Sequence, residues 1–250
     1  MNVIVTKSRY EIELMREAGK VVAACHAALA DFIKPGVSTH QIDQFVENFI
    51  VANHMEPAQK GYNGYPFAAC TSVNDVICHG FPSNYVLQDG DLITVDMVAL
   101  NKGLHGDSAW SYAVGSVSPL TKRLLEVTHR ALFVGIEQAI LGNQISDIGH
   151  AIQIYVEGEG FSVVRDYIGH GIGRQMHEKP EVLHYGPPHK GPRIRKGMAF
   201  TIEPMVNTGS YETKLEQDGW TVRTIDGSLS AQYEHTLVIT DNGPEILTQL

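Results

Sequence analysis

The stretch Asp91-Leu92-Ile93-Thr94-Val95-Asp96-Met97-Val98-Ala99-Leu100-Asn101-Lys102-Gly103-Leu104-His105-Gly106-Asp107-Ser108-Ala109-Trp110 decides how this chain is read. Two β-prone apolar runs flank Asn101-Lys102-Gly103, the composition of a hairpin and its turn. Each arm carries one carboxylate, Asp96 or Asp107, where an apolar residue would complete the pattern. With Asn101 and Lys102 as a two-residue loop, Leu100 faces Gly103 and Asp96 stands directly opposite Asp107. Facing residues on antiparallel strands have Cβ atoms about 4.5–5.5 Å apart. Carboxylates so close repel each other and are costly to desolvate unless positive charge lies between them. A divalent cation meets that need, although a bulge at Gly103 would shift the register. For two isolated Asp residues, a solvent-facing edge and a turn start are the better reading. The residues downstream change that balance.

Length and composition bound the rest. At 250 residues the chain forms one large domain or two small ones and can bury roughly 70–75% of its unfolded surface. Hydrophobic content of 43% and charged content of 19% are those of a soluble globular protein. A net charge of −9 argues against general affinity for nucleic acid or anionic membranes. Cys25, Cys70 and Cys78 form no paired framework and no C-x-x-C, which fits a reducing compartment. The opening segment, Met1 to Lys7, is too short and too soon polar for a signal peptide, and no run approaches a membrane span. A cytoplasmic chain is expected.

In order along the chain, Ser8-Arg9-Tyr10-Glu11 is a capping box followed by Ile12, Met15, Ala18, Val22 and Cys25 at helical spacing. Lys34-Pro35-Gly36 stops that helix, and Ser38 to Gln41 repeats the signature before a second. Pro57 to Pro66 reads as a loop with two exposed tyrosines. Strands are expected at 67–71 and 76–78, the latter leading into His79. Past the hairpin, Ser118-Pro119 opens a third helix ended by Gly142, and Ser146 caps a fourth ended by Gly158-Glu159-Gly160. Strands at 161–164, 199–202 and 236–239 follow. Each half thus reads helix, helix, strands, which suggests pseudo-twofold halves at about 8–117 and 118–250 within a single domain over 1–250.

The second half supplies Gly169-His170-Gly171-Ile172-Gly173, His177, Ile202-Glu203-Pro204 and Gln232-Tyr233-Glu234-His235-Thr236. Glu203 ends one apolar strand and Glu234 precedes another, mirroring the single carboxylate on each arm of the hairpin. Four carboxylates and an imidazole can bind two divalent ions about 3.5–4 Å apart with a shared, activated water. Rival motifs fail. His177-Glu178-Lys179-Pro180-Glu181 is not H-E-x-x-H, the glycines around His170 do not make G-x-G-x-x-G, and no G-x-S-x-G, phosphate loop or cysteine–histidine zinc pattern occurs. For isolated histidines such as His26, His54, His129, His184 and His189, a core or surface role is the default.

His79, Asp96, Asp107, His170, His177, Glu203 and Glu234 stand in the order and contexts of the type I methionine aminopeptidases. The supporting strings are Val-Ile-Cys-His-Gly (76–80), His-Gly-Asp (105–107), Gly-His-Gly-Ile-Gly (169–173), Thr-Ile-Glu-Pro (201–204) and Ser-Ala-Gln-Tyr-Glu-His-Thr (230–236). The resemblance spans nearly the full chain, and the short gap from His177 to Glu203 resembles the short bacterial type I form. It implies the "pita-bread" α/β (α+β) fold, two βα halves around a dinuclear site. It further implies removal of the initiator methionine from nascent chains whose second residue is small, a bridging hydroxide attacking the scissile carbonyl.

By the same resemblance, Asp107 and Glu234 would bridge the ions, Asp96 would complete one, and His170 with Glu203 the other. Glu203 would serve as general acid and base, His177 would stabilise the oxyanion, and His79 would contact the scissile nitrogen or the bound peptide. Tyr62, Tyr65, Cys70, Met176 and Trp220 would surround the first side chain. Met176 stands where the family commonly has phenylalanine, and Gln59 where small residues are common. Asn74, Val76 and Ser230 match positions that hold a monovalent cation. One nitrogen among many carboxylate oxygens makes a harder site than zinc usually prefers, so Co, Mn and Fe stand ahead of Zn. A monomer is expected. The basic run His189 to Lys196 reads as a solvated loop ahead of a transient ribosome contact. The rivals are a prolidase or aminopeptidase P, whose separate N-terminal domain has no room here, a metal-free binding protein on the same fold, and a metal-independent creatinase-like hydrolase. The latter two lack ligands that this chain keeps.

Overall fold

A computed structural model describes residues 3–250; Met1 and Asn2, the start of the opening segment, lie outside them. Helix α1 (Arg9–Phe32) begins at Ser8 and α2 (Thr39–Ala52) at Ser38. Both are closed by reciprocal capping boxes, with Glu11 and Gln41 as the returning side chains. Strand β1 (Glu56–Pro57), a single 3-10 turn at Tyr62–Gly64, β2 (Ala69–Val73) and β3 (Val76–Cys78) follow. The hairpin is β4 (Leu92–Asn101) and β5 (Leu104–Ala113), with β1 and β2 sharing the other edge of β4.

The hairpin register differs from expectation. Its loop is Lys102-Gly103, both at positive φ (48° and 82°), so Asn101 pairs with Leu104, Asp96 with Ala109 and Asp107 with Val98. Turns of this twist need positive φ at both loop residues, which Gly103 supplies freely and Lys102 accepts. The two carboxylates keep the same face but stand diagonally, in the relation that spaces residues about 7–8 Å apart. They flank a gap instead of colliding.

The second half runs α3 (Pro119–Gln138), α4 (Ile145–Gly158), β6 (Ser162–Val163), β7 (Gly169–Gly171), β8 (Glu178–Val182) and β9 (Ala199–Ile202). It ends with β10 (Met205–Asn207), β11 (Thr213–Leu215), β12 (Val222–Thr224), β13 (Ser230–Gln232), β14 (His235–Thr240) and β15 (Gly243–Ile246). A five-stranded sheet has the order β15-β14-β9-β7-β8, and two three-stranded sheets have the orders β13-β10-β6 and β11-β12-β3. Helix α3 stops at Gln138, before Gly142. Helix α4 is capped by Gln144 and not Ser146: Asp147 accepts from Gln144 N, while the Ser146 hydroxyl accepts from Lys190 N. No helix among the described residues is long and apolar enough to cross a membrane.

Each helix pair covers its own strands. Val22, Leu29, Ile42 and Val46 pack with Ile93, Val95 and Met97, whereas Leu124, Ala131, Ile148 and Ile152 pack with Phe200, Ile202 and Leu237. Each of the larger side chains contributes about 1.5–3 kcal/mol on burial. Helix α1 lies so close on β5 that a Cβ at Gly106 would fall 2.7 Å from Gly19 N, which seats the strand that carries Asp107.

His26 is buried in this layer, with Nδ1 2.8 Å from Tyr112 Oη and Nε2 3.1 Å from Ser108 O. Burial pushes its pKa down to about 3. As pH falls below about 6.5 the unfolded chain takes the proton first. Stability is therefore complete above that pH and is lost down toward pH 3, by up to about 1.4 kcal/mol per unit. Urea titrations between pH 7.5 and 4.5 with chelator present should show a slope shallower by about that amount in His26→Gln.

Candidate metal centre

Five side chains converge from strands of both halves. Asp96 comes from β4, Asp107 from β5, His170 from β7, Glu203 from just after β9 and Glu234 from just before β14. All five line one cavity of about 410 Å³. One ligand atom from each of Asp107, His170 and Glu234 lies within 4.8 Å of the others. His170 Nε2 is 3.8 Å from Asp107 Oδ2 and 3.7 Å from Glu203 Oε1. The halves are stitched together here. Glu234 N donates to Ala109 O at 2.8 Å, Ser108 Oγ to Glu234 O at 2.9 Å, and Asp107 N to Thr236 Oγ1 at 3.1 Å.

The electrostatics call for a cation. Burial pushes Asp96 up to about 7 and Glu203 to about 8, and holds Asp107 and Glu234 well above the carboxylate range with neighbouring carboxylates adding to it. Burial also drives His170 down to about 3, so its ring is neutral. Its Nδ1 lies 3.0 Å from Gly171 O, which makes Nδ1 the protonated nitrogen and leaves the Nε2 lone pair facing two carboxylates. Lone pair against lone pairs needs a positive partner between them. Glu234 Oε1, buried without any hydrogen-bond donor, asks for the same. A histidine whose far N–H is held by a backbone carbonyl is the usual form of a metal-ligating imidazole. The donor set fits divalent ions.

The remaining expected residues gather around this cluster. His79 follows β3 at φ 54°, a strained conformation for a residue with a Cβ, and its ring stands 5.6 Å from that of Tyr167. Burial takes its pKa down to about 4. The His177 ring lies 4.2 Å from that of His170, tilted by 51°, and meets Tyr62 Oη at Nδ1, 2.7 Å away. Tyr62, Tyr65, Cys70, Met176 and Trp220 all line the cavity, and Gln59 joins them. Tyr65 is not exposed as expected but 2% accessible, its hydroxyl 3.2 Å from both Ala69 O and Gly80 O and its ring edge-on to Trp220. Asn74, Val76 and Ser230 lie outside this cavity, beside it in the β3 region, where Ser230 N donates to Asn74 O and Ser230 Oγ is buried without a partner. In the basic run, Arg193 donates to Gly142 O, Lys196 pairs with Asp241, and most of its residues face solvent.

Several residues that hold the site were not expected. Thr201 Oγ1 donates to Glu203 Oε1 at 2.6 Å, Gln232 Nε2 to Glu203 Oε2 at 3.3 Å, and Glu203 N donates to His184 Nε2 at 3.1 Å. The buried Lys7 pairs with Glu178, which also accepts from Gln175 N, so the N-terminal segment braces the turn that bears Met176 and His177. Gln232 was within reach of the sequence, two residues before Glu234. His184 and Lys7 carry no such signal.

A site of this kind on two helix-helix-strand halves defines a metallopeptidase, and the profile of metallopeptidase family M24 matches residues 13–241. The chain belongs to that family. Within it the resemblance to type I methionine aminopeptidases holds over the whole length. Methionine aminopeptidase 1 of Bacillus subtilis is 51% identical over 247 residues, 99% of this chain and 100% of the relative. The crystal structure of methionine aminopeptidase from Thermotoga maritima superposes with a TM-score of 0.98 at 42% identity, covering 99% of this chain and 100% of that one. Prolidase from Pyrococcus furiosus shares the fold at a TM-score of 0.81 and 21% identity, but this chain covers 66% of its length. The expected pita-bread fold is borne out.

Proposed function

We infer that this chain is a metal-dependent aminopeptidase that removes the N-terminal methionine of nascent proteins whose second residue is small, residues 1–250 acting as one catalytic unit. The observation that carries the reading is the neutral His170 whose free lone pair faces Asp107 and Glu203 at the floor of a cavity walled by Tyr62, Tyr65, Cys70, Met176 and Trp220. Asp107 and Glu234, with Asp96 on one side and His170 and Glu203 on the other, would hold two divalent ions. When bound, such ions supply Lewis acidity and a water acidic enough to lose its proton near neutral pH.

The side chains do the rest. Glu203, kept steady by Thr201 and Gln232, would accept a proton from the water that attacks the scissile carbonyl and deliver it to the amine nitrogen as the C–N bond breaks. With Tyr62 as the donor to His177 Nδ1, 2.7 Å away, Nε2–H is left to meet the developing oxyanion. His79 holds the scissile nitrogen. A free substrate amine approaches the Asp96 side, which an internal peptide bond cannot offer, so cutting is confined to chain ends. The oxygen-rich donor set supports Fe(II), Mn(II) or Co(II) before Zn(II). The unpartnered Ser230 Oγ beside Asn74 and Val76 supports a monovalent cation there. Buried, unpaired cysteines support a cytoplasmic enzyme, and the solvated basic loop supports at most a transient ribosome contact by a monomer.

Methionine release from Met-Ala-Ser by metal-loaded protein, abolished by chelator, tests the reading; cleavage of an X-Pro peptide with Met-Ala-Ser left intact would favour a prolidase. Met176, 4% accessible in the cavity wall, is expected to set first-residue preference. Met176→Ala leaves a void beside the thioether, and a methylene-scale contact is worth about 1–3 kcal/mol, or roughly 10–200-fold in discrimination. Comparing kcat/KM on Met, Leu and Phe peptides at matched metal content checks it, since unchanged ratios would remove Met176 from the pocket.

A further inference from the structure

Gln59 is 8% accessible and stands beside Asp96 in the cavity wall. Its Nε2 donates to Asp96 Oδ1 at 3.1 Å and lies 3.7 Å from Cys70 Sγ. Among the described residues no other side chain donates to that carboxylate. The orientation of the amide is dictated by chemistry, because flipping it would set carbonyl oxygen against carboxylate oxygen. The contact has a cost: Oε1 is left buried with no donor. The backbone around Gln59 is itself clipped to β4, with Pro57 paired to Ala99, Ala58 N donating to Val98 O at 2.9 Å, and Tyr62 N to Gln59 O at 3.0 Å. The amide therefore reaches Asp96 from a fixed base on the same strand. Across the cavity Gln232 does the same for Glu203, so each side of the centre has one carboxylate steadied by one amide.

We propose that Gln59 is a positioning residue that holds Asp96 in the orientation its ion requires, and so sets how tightly that half of the centre binds. This rests on the two-ion reading above. Carboxylate ligands depend on such outer hydrogen bonds, whose loss typically weakens metal binding ten- to a hundredfold. Gln59→Met keeps the volume and removes the donor.

The test is a Co(II) titration of metal-free protein, followed by visible d–d absorption and by calorimetry, for wild type, Gln59→Met and Gln232→Met. One of two equivalents should weaken about ten- to a hundredfold in Gln59→Met, the other keeping its affinity, with Gln232→Met weakening the opposite one. In an Asp96→Asn background Gln59→Met should change nothing further. Saturating Co(II) should restore most of kcat on Met-Ala-Ser, which a damaged fold would not allow. If the methionine variant does not fold, Gln59→Leu replaces it in the same titration. Two equivalents bound by wild type with unchanged affinities in the Gln59 variants would overturn the role of Gln59 alone. Wild-type protein that takes up no Co(II) would overturn the two-ion reading with it.

Discussion

Asp107→Asn and Glu234→Gln are each expected to empty the metal centre and lower activity by about a thousandfold or more. Bound ions supply several kcal/mol of transition-state stabilisation, and each 1.36 kcal/mol is a factor of ten. Both substitutions are near-isosteric, so the cavity keeps its shape while an acceptor facing His170 Nε2, or one facing the orphaned corner at Glu234, becomes in part a donor. The same change should make the metal-free protein more stable. Asp107 and Glu234 are pushed well above the usual carboxylate range by burial first and by neighbouring carboxylates second, so in the absence of cations they destabilise the fold. A neutral amide removes that repulsion. Metal analysis after reconstitution, with melting curves in chelator, reads both effects. A variant that kept two ions per chain, or that melted well below metal-free wild type, would withdraw the ligand role.

That opposition between function and stability also explains how much of the site could be read in advance. Asp96 and Asp107 drew notice because a carboxylate in an apolar strand violates the pattern around it, and His170, Glu203 and Glu234 because their flanking strings match a family in order. Helices α1 and α2 were legible for a local reason, the reciprocal boxes Ser8–Glu11 and Ser38–Gln41. The hairpin register was not, because it turned on whether Lys102 would accept positive φ, a choice settled by strand twist and not by composition. The cap of α4 was hidden for another reason: Ser146 stands where a cap is expected, but its hydroxyl is engaged by Lys190 N from a loop 44 residues away. Short strands such as β7 and β10–β13 carry too few residues for any period to show. Tyr65, read as exposed, is buried because the turn at 62–64 folds it under Trp220. Gln59, His184 and Gln232 meet Asp96 or Glu203 only through tertiary contacts, while Thr201 reaches Glu203 from two residues away in a contact that no periodicity announces.

His177→Ala is expected to lower kcat by about a hundred- to a thousandfold, the range for losing one preorganised donor to an oxyanion, while metal content stays near that of wild type. The separation rests on the tautomer. The His177 ring lies tilted 4.2 Å from that of His170, and its Nδ1 is 2.7 Å from Tyr62 Oη; with the phenol as donor, His177 would face the cavity as a donor and not as a ligand. Its pKa is lowered by burial, which keeps the ring neutral and makes the tautomer the deciding variable. Tyr62 is expected to decide it: a phenol donating to Nδ1 would leave the proton on Nε2, where the substrate carbonyl would meet it. Tyr62→Phe alone should therefore lower kcat by roughly tenfold, the scale of one lost hydrogen bond, with a smaller change in KM. In a protein that already carries His177→Ala, Tyr62→Phe should lower kcat no further, because the group it orients is gone. Steady-state kinetics on Met-Ala-Ser for the two single variants and the double variant, with metal content measured on the same samples, settles the roles. A His177→Ala protein emptied of metal would make His177 a ligand. Additive losses in the double variant would make Tyr62 a contact of the substrate and not the residue that sets the His177 tautomer.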